Sequence, residues 1–162
     1  MPLWRDPQSG RPGRWTPALV AACQDVAGRI TGIQRICLTP DGEKLGRKAK
    51  LNLGTVRGGA LRLGPPDRHI MLCEGPEDGL TLRQRMPETN VWVSLGTGNL
   101  HTVELPAIVR KITVAGDNND AGRYAAELAA ETFRSEGRDV GIVYPAPEFA
   151  DWNDELRGIR RP

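Results

Sequence analysis

The sequence predicts an α/β chain in which a parallel sheet flanked by helices is preceded by a small antiparallel β-rich subdomain. Three observations predict it. Four short apolar runs, at 69–73 (HIMLC), 90–95 (NVWVSL), 111–115 (KITVA) and 139–144 (DVGIVY), alternate with segments of helical character, as buried parallel strands do. Ahead of them, runs at 18–23 (ALVAAC), 29–38 (RITGIQRICL), 49–54 (AKLNLG) and 59–64 (GALRLG) show alternation or β-branched residues. Leu63-Gly64-Pro65-Pro66-Asp67 separates the two rhythms. The expected organisation is a basic Pro/Gly-rich tail at 1–16, the β-rich subdomain at 17–66, the α/β domain at 67–157 and a short tail at 158–162.

In chain order, Asp25-Val26-Ala27-Gly28 and Thr39-Pro40-Asp41-Gly42 read as turns, with glycine supplying positive φ, and they join the first runs, GALRLG included, into one antiparallel sheet. Lys44-Leu45-Gly46-Arg47-Lys48-Ala49-Lys50 puts four cations in seven residues. Such a run is either an edge strand protected by charge or a loop that contacts phosphate. Beyond residue 67, helices are expected from Glu77 to Met86, briefly around Thr102 to Val109, and from Asp120 to Ser135. In the last, Tyr124, Leu128 and Phe133 mark a face, and Gly137 supplies the stop.

The 162 residues suffice for one domain with a small companion, and 39% hydrophobic with 26% charged residues is globular usage. No apolar run approaches the roughly 20 residues of a transmembrane helix, so no membrane partner is expected. The start MPLWRDPQSGRPGRW is basic with no apolar stretch behind it, unlike a signal peptide, and a cytoplasmic protein is expected. Cys23, Cys37 and Cys73 include no C-x-x-C pair, and His69 and His101 lie far apart, which excludes a zinc site and a disulfide framework. The cysteines are expected to be reduced and to serve as small hydrophobes in strands. Residues 1–70 carry twelve Lys or Arg against five Asp or Glu, whereas 71–162 carry ten against fifteen. A basic half suits a polyanion and gathered carboxylates suit divalent cations, although scattered solvated charge gives the same count.

In an open parallel sheet the working residues lie at the carboxyl ends of strands. Acids stand at three such ends: Glu74 leaves the first strand into Gly75, Asp117-Asn118-Asn119-Asp120 follows the third, and Asp151-Trp152-Asn153-Asp154 follows the fourth. Together they would cage a hard cation such as Mg²⁺. Taken singly, Glu77 and Asp78 read as acids of a helix first turn, and Asp120 and Asp151 as helix caps.

The succession LCEGPEDGL, VSLGTGNL, ITVAGDNNDAGRYAAE and PAPEFADWNDEL, over roughly residues 67–157, closely resembles the Toprim domain shared by primases, topoisomerases and some nucleases. The preceding LVAACQDVAGRITGIQRICLTPDGEKLGRKAKLNLGTVRGGALRLG is similar to the β-rich segment that stands before Toprim in phage and plasmid primases. The resemblance implies that Glu74 is the Toprim glutamate, a general acid/base or metal ligand, followed by the glycine Gly75. It likewise implies that Asp117 opens the Asp-x-Asp motif and that Asp151 and Asp154 are the last acidic pair. Asn119 departs from the motif by standing where its second Asp belongs, with Asp120 one place further on. Gly96 and Gly98 match the loop after the second strand, where a phosphate could approach closely.

By this resemblance the chain is the catalytic core of a DNA primase, a nucleotidyltransferase that makes short RNA primers on a single-stranded DNA template from nucleoside triphosphates with Mg²⁺ (or Mn²⁺). Arg29, Arg35, Arg47, Lys48 and Lys50 would guide the template by phosphate contact. A zinc-binding module and a replicative helicase would come from another domain of a longer protein or from partners. Two alternatives stand beside this one: a Toprim metal-dependent nuclease, and a non-catalytic nucleic-acid-binding replication module that has lost metal affinity through Asn119. Topoisomerase activity is not expected, because Tyr124 and Tyr144 both fall within the Toprim-like span and the remaining length has no room for a catalytic tyrosine domain.

Overall fold

A computed structural model describes residues 16–46 and 49–161. β1 (Ala18–Gln24), β2 (Ile30–Cys37) and β3 (Lys50–Gly54) form an antiparallel sheet in that order. Its turns use the glycines expected of them, Gly28 at φ 84° and Gly42 at φ 87°.

The larger sheet has five strands, β4 (Leu61–Leu63), β5 (His69–Cys73), β6 (Val91–Val93), β7 (Lys111–Ala115) and β8 (Asp139–Val143), in the order β4-β6-β5-β7-β8. β5 to β8 run parallel, and β4 lies antiparallel to β6 at the edge. The fold is therefore the expected α/β sheet with an antiparallel companion, corrected in one strand. Residues 61–63 do not close the small sheet. They pair with β6, while Ala60 exchanges two backbone hydrogen bonds of 2.8 and 3.0 Å with Gln24 and so joins the sheets.

β5, β6 and β7 are buried on both faces, which is why they read as unbroken apolar runs, while in the edge strand β8 only Val140 is buried. In β5, Ile70 and Leu72 pack toward the helix α2 (Asp120–Ser135), while Met71 and Cys73 face α1 (Pro76–Arg85) and the small sheet. Each fully buried aliphatic or Phe side chain of these layers contributes on the order of 1.5–3 kcal/mol. α2 buries Ala125, Ala126, Ala129, Ala130 and Phe133, but Tyr124 is 71% exposed and lies outside that stripe. The small alanines let the helix approach the sheet closely, a role that an aromatic face could not serve. The helix expected around Thr102–Val109 is a 3₁₀ helix at Thr97–Thr102, tied by Asn99, whose amide donates to the Ser94 and Val56 carbonyls at 2.6 and 2.9 Å. Beyond it, Pro106 lacks the N–H that a helix interior needs. A last helix, α3 (Trp152–Arg157), closes the chain. All three cysteines are unbridged and lie in strands. No described helix is long and apolar enough to cross a membrane.

Candidate metal centre

Because β5, β7 and β8 are parallel, their carboxyl ends share one edge, and the acids that follow them gather there. Glu74 leaves β5 half-buried, and the next residue, Gly75, is the N-cap of α1. A Cβ on Gly75 would stand 3.1 Å from Asp78 Oδ2 and 3.4 Å from Glu77 Oε2, so glycine keeps open the floor between carboxylates. Asp117 leaves β7 against α2, where a Cβ on Gly122 would come within 2.7 Å of the Asp117 Cβ. Asp151 reaches the edge after a seven-residue loop from β8 and caps α3, accepting from the Asp154 N–H at 2.7 Å.

The loop before Asp151 is held by Asn118. Its Nδ2 donates to the carbonyls of Pro145, Ala146 and Phe149 at 2.8, 3.1 and 3.1 Å, and its Oδ1 accepts from Arg123 at 2.6 Å. Asn118 thus ties the end of β7 to the approach to Asp151. Asn119 is the N-cap of α2, its side-chain oxygen accepting from the Gly122 N–H at 2.9 Å. Asp120 is therefore not the cap. It is the first helical residue and is exposed.

The electrostatics are those of crowded, partly buried carboxylates. Burial, then the charges of Glu74 and Asp151, push the Asp117 carboxyl up to about 7. Burial, then Asp151 and Asp117, push Asp78 up to about 7 against the pull of the Asn153 N–H, which donates to it at 3.0 Å. Burial and Asp151 also raise Asp154. Glu77 moves the other way. Burial opposes its ionisation, but Lys44 at 2.9 Å and Lys50 at 3.4 Å outweigh burial and hold it below the usual carboxylate range.

Asp117 Oδ1 is buried and has no hydrogen-bond partner. A carboxylate oxygen bare of donors, in the field of further carboxylates, fits a hard divalent cation. Yet among the described residues no three His, Cys, Asp or Glu side chains are gathered tightly enough to hold an ion by themselves. Asn119, where the resemblance expects a second Asp, is an amide whose oxygen caps α2. An ion here would need oxygen atoms brought by substrate phosphates, as Mg²⁺ sites commonly do. A cleft of about 580 Å³ opens alongside, lined among others by Leu19, Ile36, Leu38, Lys44, Asp151 and Asp154.

Three residues of the site are not singled out by sequence. Asp78 reads there as a helix-dipole acid and does occupy the first turn of α1, but it is 6% exposed and faces the acidic edge. Its spacing with Thr81 and Leu82 on the buried stripe of α1 is the signal that could have found it. Asn118 carries no such mark, and Lys44 is marked only as the first cation of the run at 44–50. Of the five basic candidates, Lys50 reaches the edge. Arg35 precedes Ile36, the register partner of Lys50, so Arg35 and Lys50 belong to opposite faces of the sheet. Arg29 pairs with Asp25 at 2.8 Å, and Arg47 and Lys48 lie outside the described residues. Gly96 (φ 150°) caps the 3₁₀ helix and Gly98 lies in its first turn, and at both an added Cβ would meet nothing within 4 Å.

One expected result comes from the raised carboxyls. A carboxyl whose pKa in the folded chain exceeds its unfolded value stabilises the fold below the unfolded pKa, and that stability is lost as pH rises through the folded pKa. For Asp78 and Asp117 the window runs from about 4 to about 7. Metal-free protein should gain on the order of a few kcal/mol between pH 8 and pH 5, before the Glu77 pairs with Lys44 and Lys50 begin to protonate. Melting curves in chelator would show it, and a melting temperature that is flat or falls toward pH 5 would refute it.

The Toprim domain family model matches residues 69–159, and a domain of unknown function (DUF7146) matches residues 2–63. No curated protein sequence matches. Among solved structures, a DNA primase domain from Pseudomonas aeruginosa is 21% identical with a TM-score of 0.68, over 99% of this chain and 53% of that one. The primase fragment of the bacteriophage T7 primase-helicase protein is 20% identical with a TM-score of 0.62, over 88% of this chain and 59% of that one. The Aquifex aeolicus primase, with its zinc-binding and RNA polymerase domains, is 24% identical with a TM-score of 0.61, over 88% and 37%. The fold is thus that of primase domains, and the chain spans little more than half the length of the first two.

Proposed function

The chain belongs to the Toprim domain family, and from that premise we propose that it is the nucleotidyl-transfer core of a DNA primase, making short RNA primers on single-stranded DNA in the cytoplasm. The observation that carries the reading is the partnerless buried Oδ1 of Asp117 among the carboxylates at the carboxyl edge of the parallel strands. Together with oxygen atoms of the substrate phosphates, Asp117, Asp78 and Asp151 would hold Mg²⁺ or Mn²⁺, with Asn119, Asp120 and Asp154 at the margin of the site. The bound cation supplies charge for the triphosphate and lowers the pKa of the attacking hydroxyl. Glu74 accepts that hydroxyl's proton at its carboxylate. Lys50 contacts substrate phosphate, and Gly75, Gly96 and Gly98 leave room for it. A helicase and a zinc-binding module are supplied by another domain or protein. Support for a primase over a nuclease comes from the match to primase domains over 99% of the chain, the small sheet included.

The test is incubation with single-stranded DNA, labelled ribonucleoside triphosphates and Mg²⁺ or Mn²⁺. New short oligoribonucleotides are expected. A shortened template would replace this reading by a nuclease, and retained binding without either product would replace it by a non-catalytic module.

A further inference from the structure

The small sheet carries a pair of amides that the carboxylate edge does not use. Gln34 in β2 is 4% exposed, and its Nε2 donates to the Leu95 carbonyl at 2.8 Å and to Asn52 Oδ1 at 3.1 Å. A backbone carbonyl can only accept, so the Gln34 amide has one allowed orientation. Asn52 must then turn its oxygen toward Gln34, which leaves its Nδ2 hydrogens facing away, at an exposed position of β3. The arrangement is retained at a cost, because Gln34 Oε1 is buried without a partner. An apolar side chain would avoid that cost, as Ile36 does two residues on.

Asn52 and Lys50 alternate along β3 and share a face, roughly 7 Å apart. Lys50 Nζ is 3.4 Å from Glu77. Leu95, the other anchor of Gln34, lies between β6 and the 3₁₀ helix that Gly96 caps. In the sheet, β6 lies on one side of β5 while β7 and β8 lie on the other. Through Leu95 the amide pair is tied to the end of β6, whereas Asp117 and Asp151 follow β7 and β8.

We infer that Asn52, held in orientation by Gln34, donates to phosphate oxygens of the substrate on the β6 side of the site. The inference rests on the nucleotidyl-transfer reading. Gln34 is a positioning residue and Asn52 the binding one. The phosphates belong either to the nucleoside triphosphate or to the backbone of the single strand, and the two are separated by measurement.

The intact chain and its Asn52→Ala, Gln34→Leu and doubly substituted variants are titrated with a labelled single-stranded oligonucleotide and, separately, with a ribonucleoside triphosphate and Mg²⁺. Asn52→Ala should weaken at least one of the two by about tenfold, the scale of one hydrogen bond to a charged group. Gln34→Leu should weaken the same ligand while melting no earlier than the parent, since it removes the unpaired acceptor. The double variant should bind no more weakly than Asn52→Ala. Loss confined to the oligonucleotide assigns the contact to the strand, and loss confined to the triphosphate assigns it to the nucleotide. Additive losses would make Gln34 merely structural and overturn the inference. So would a parent that binds and an Asn52→Ala variant that binds equally well. A parent that binds neither probe overturns the nucleotidyl-transfer reading itself.

Discussion

Asp117→Asn is expected to melt at a higher temperature than the parent in chelator, to gain nothing from Mg²⁺ or Mn²⁺, and to lose nucleotidyl transfer by at least about a hundredfold. The two halves of this result have one cause. Asp117 is crowded by Glu74 and Asp151 and its Oδ1 has no donor, so its charge destabilises the metal-free fold. An amide of the same shape removes that repulsion, and with it the charge for which a cation would give up water. Asn119→Asp should do the opposite, tightening Mg²⁺ binding to the free protein by restoring a carboxylate. Asp120→Ala should be silent, since Asp120 is exposed and does not cap α2. Calorimetric titration of the three variants reads all of this, and equal affinity in each of them and the parent would mean that the cluster binds no metal.

Glu74→Gln is expected to lower primer synthesis by at least about a hundredfold while leaving the fold intact, the scale on which a general acid or base acts. Glutamine keeps the volume and removes the charge and, with it, the ability to take a proton. Glu74 belongs to neither buried cluster, so its loss opens no cavity. Because Asp117, Asp78 and Asp151 remain, Mg²⁺ should still stabilise this variant, in contrast to Asp117→Asn. Turnover equal to the parent's would remove Glu74 from the chemistry.

What the sequence discloses depends on whether the cause is local. β7 and α2 have the bounds read from residues 111–115 and 120–135, because an apolar run and a glycine stop are signals contained within the segment. Sequence places β4 in the wrong sheet because its partner, β6, lies about thirty residues away and leaves no mark on GALRLG. Asp78 shows the same limit at the site. In sequence, an acid in a helix first turn looks alike whether it faces water or three other carboxylates, and only the packing of α1 decides. For the Lys44 to Lys50 run, sequence alone leaves edge protection and phosphate contact both open. In the fold both terminal lysines cross to Glu77, a pairing between segments that neither periodicity nor composition records.

The edge strand β4 bears on how the chain could be divided. Its three residues come from the stretch ahead of the Pro65-Pro66 break, yet they complete the sheet beyond it, and Trp92 of β6 donates its indole N–H to the Gly64 carbonyl at 3.2 Å while Arg62 lies over its ring at 4.1 Å. A gene cut at that break would deliver a Toprim half with β6 as a bare edge, its ladder groups exposed and its tryptophan uncovered, the condition in which sheets stick to one another. Any shortened version meant for expression, or any recombination that swaps one half for a foreign one, has to keep residues 61–64 joined to the Toprim half.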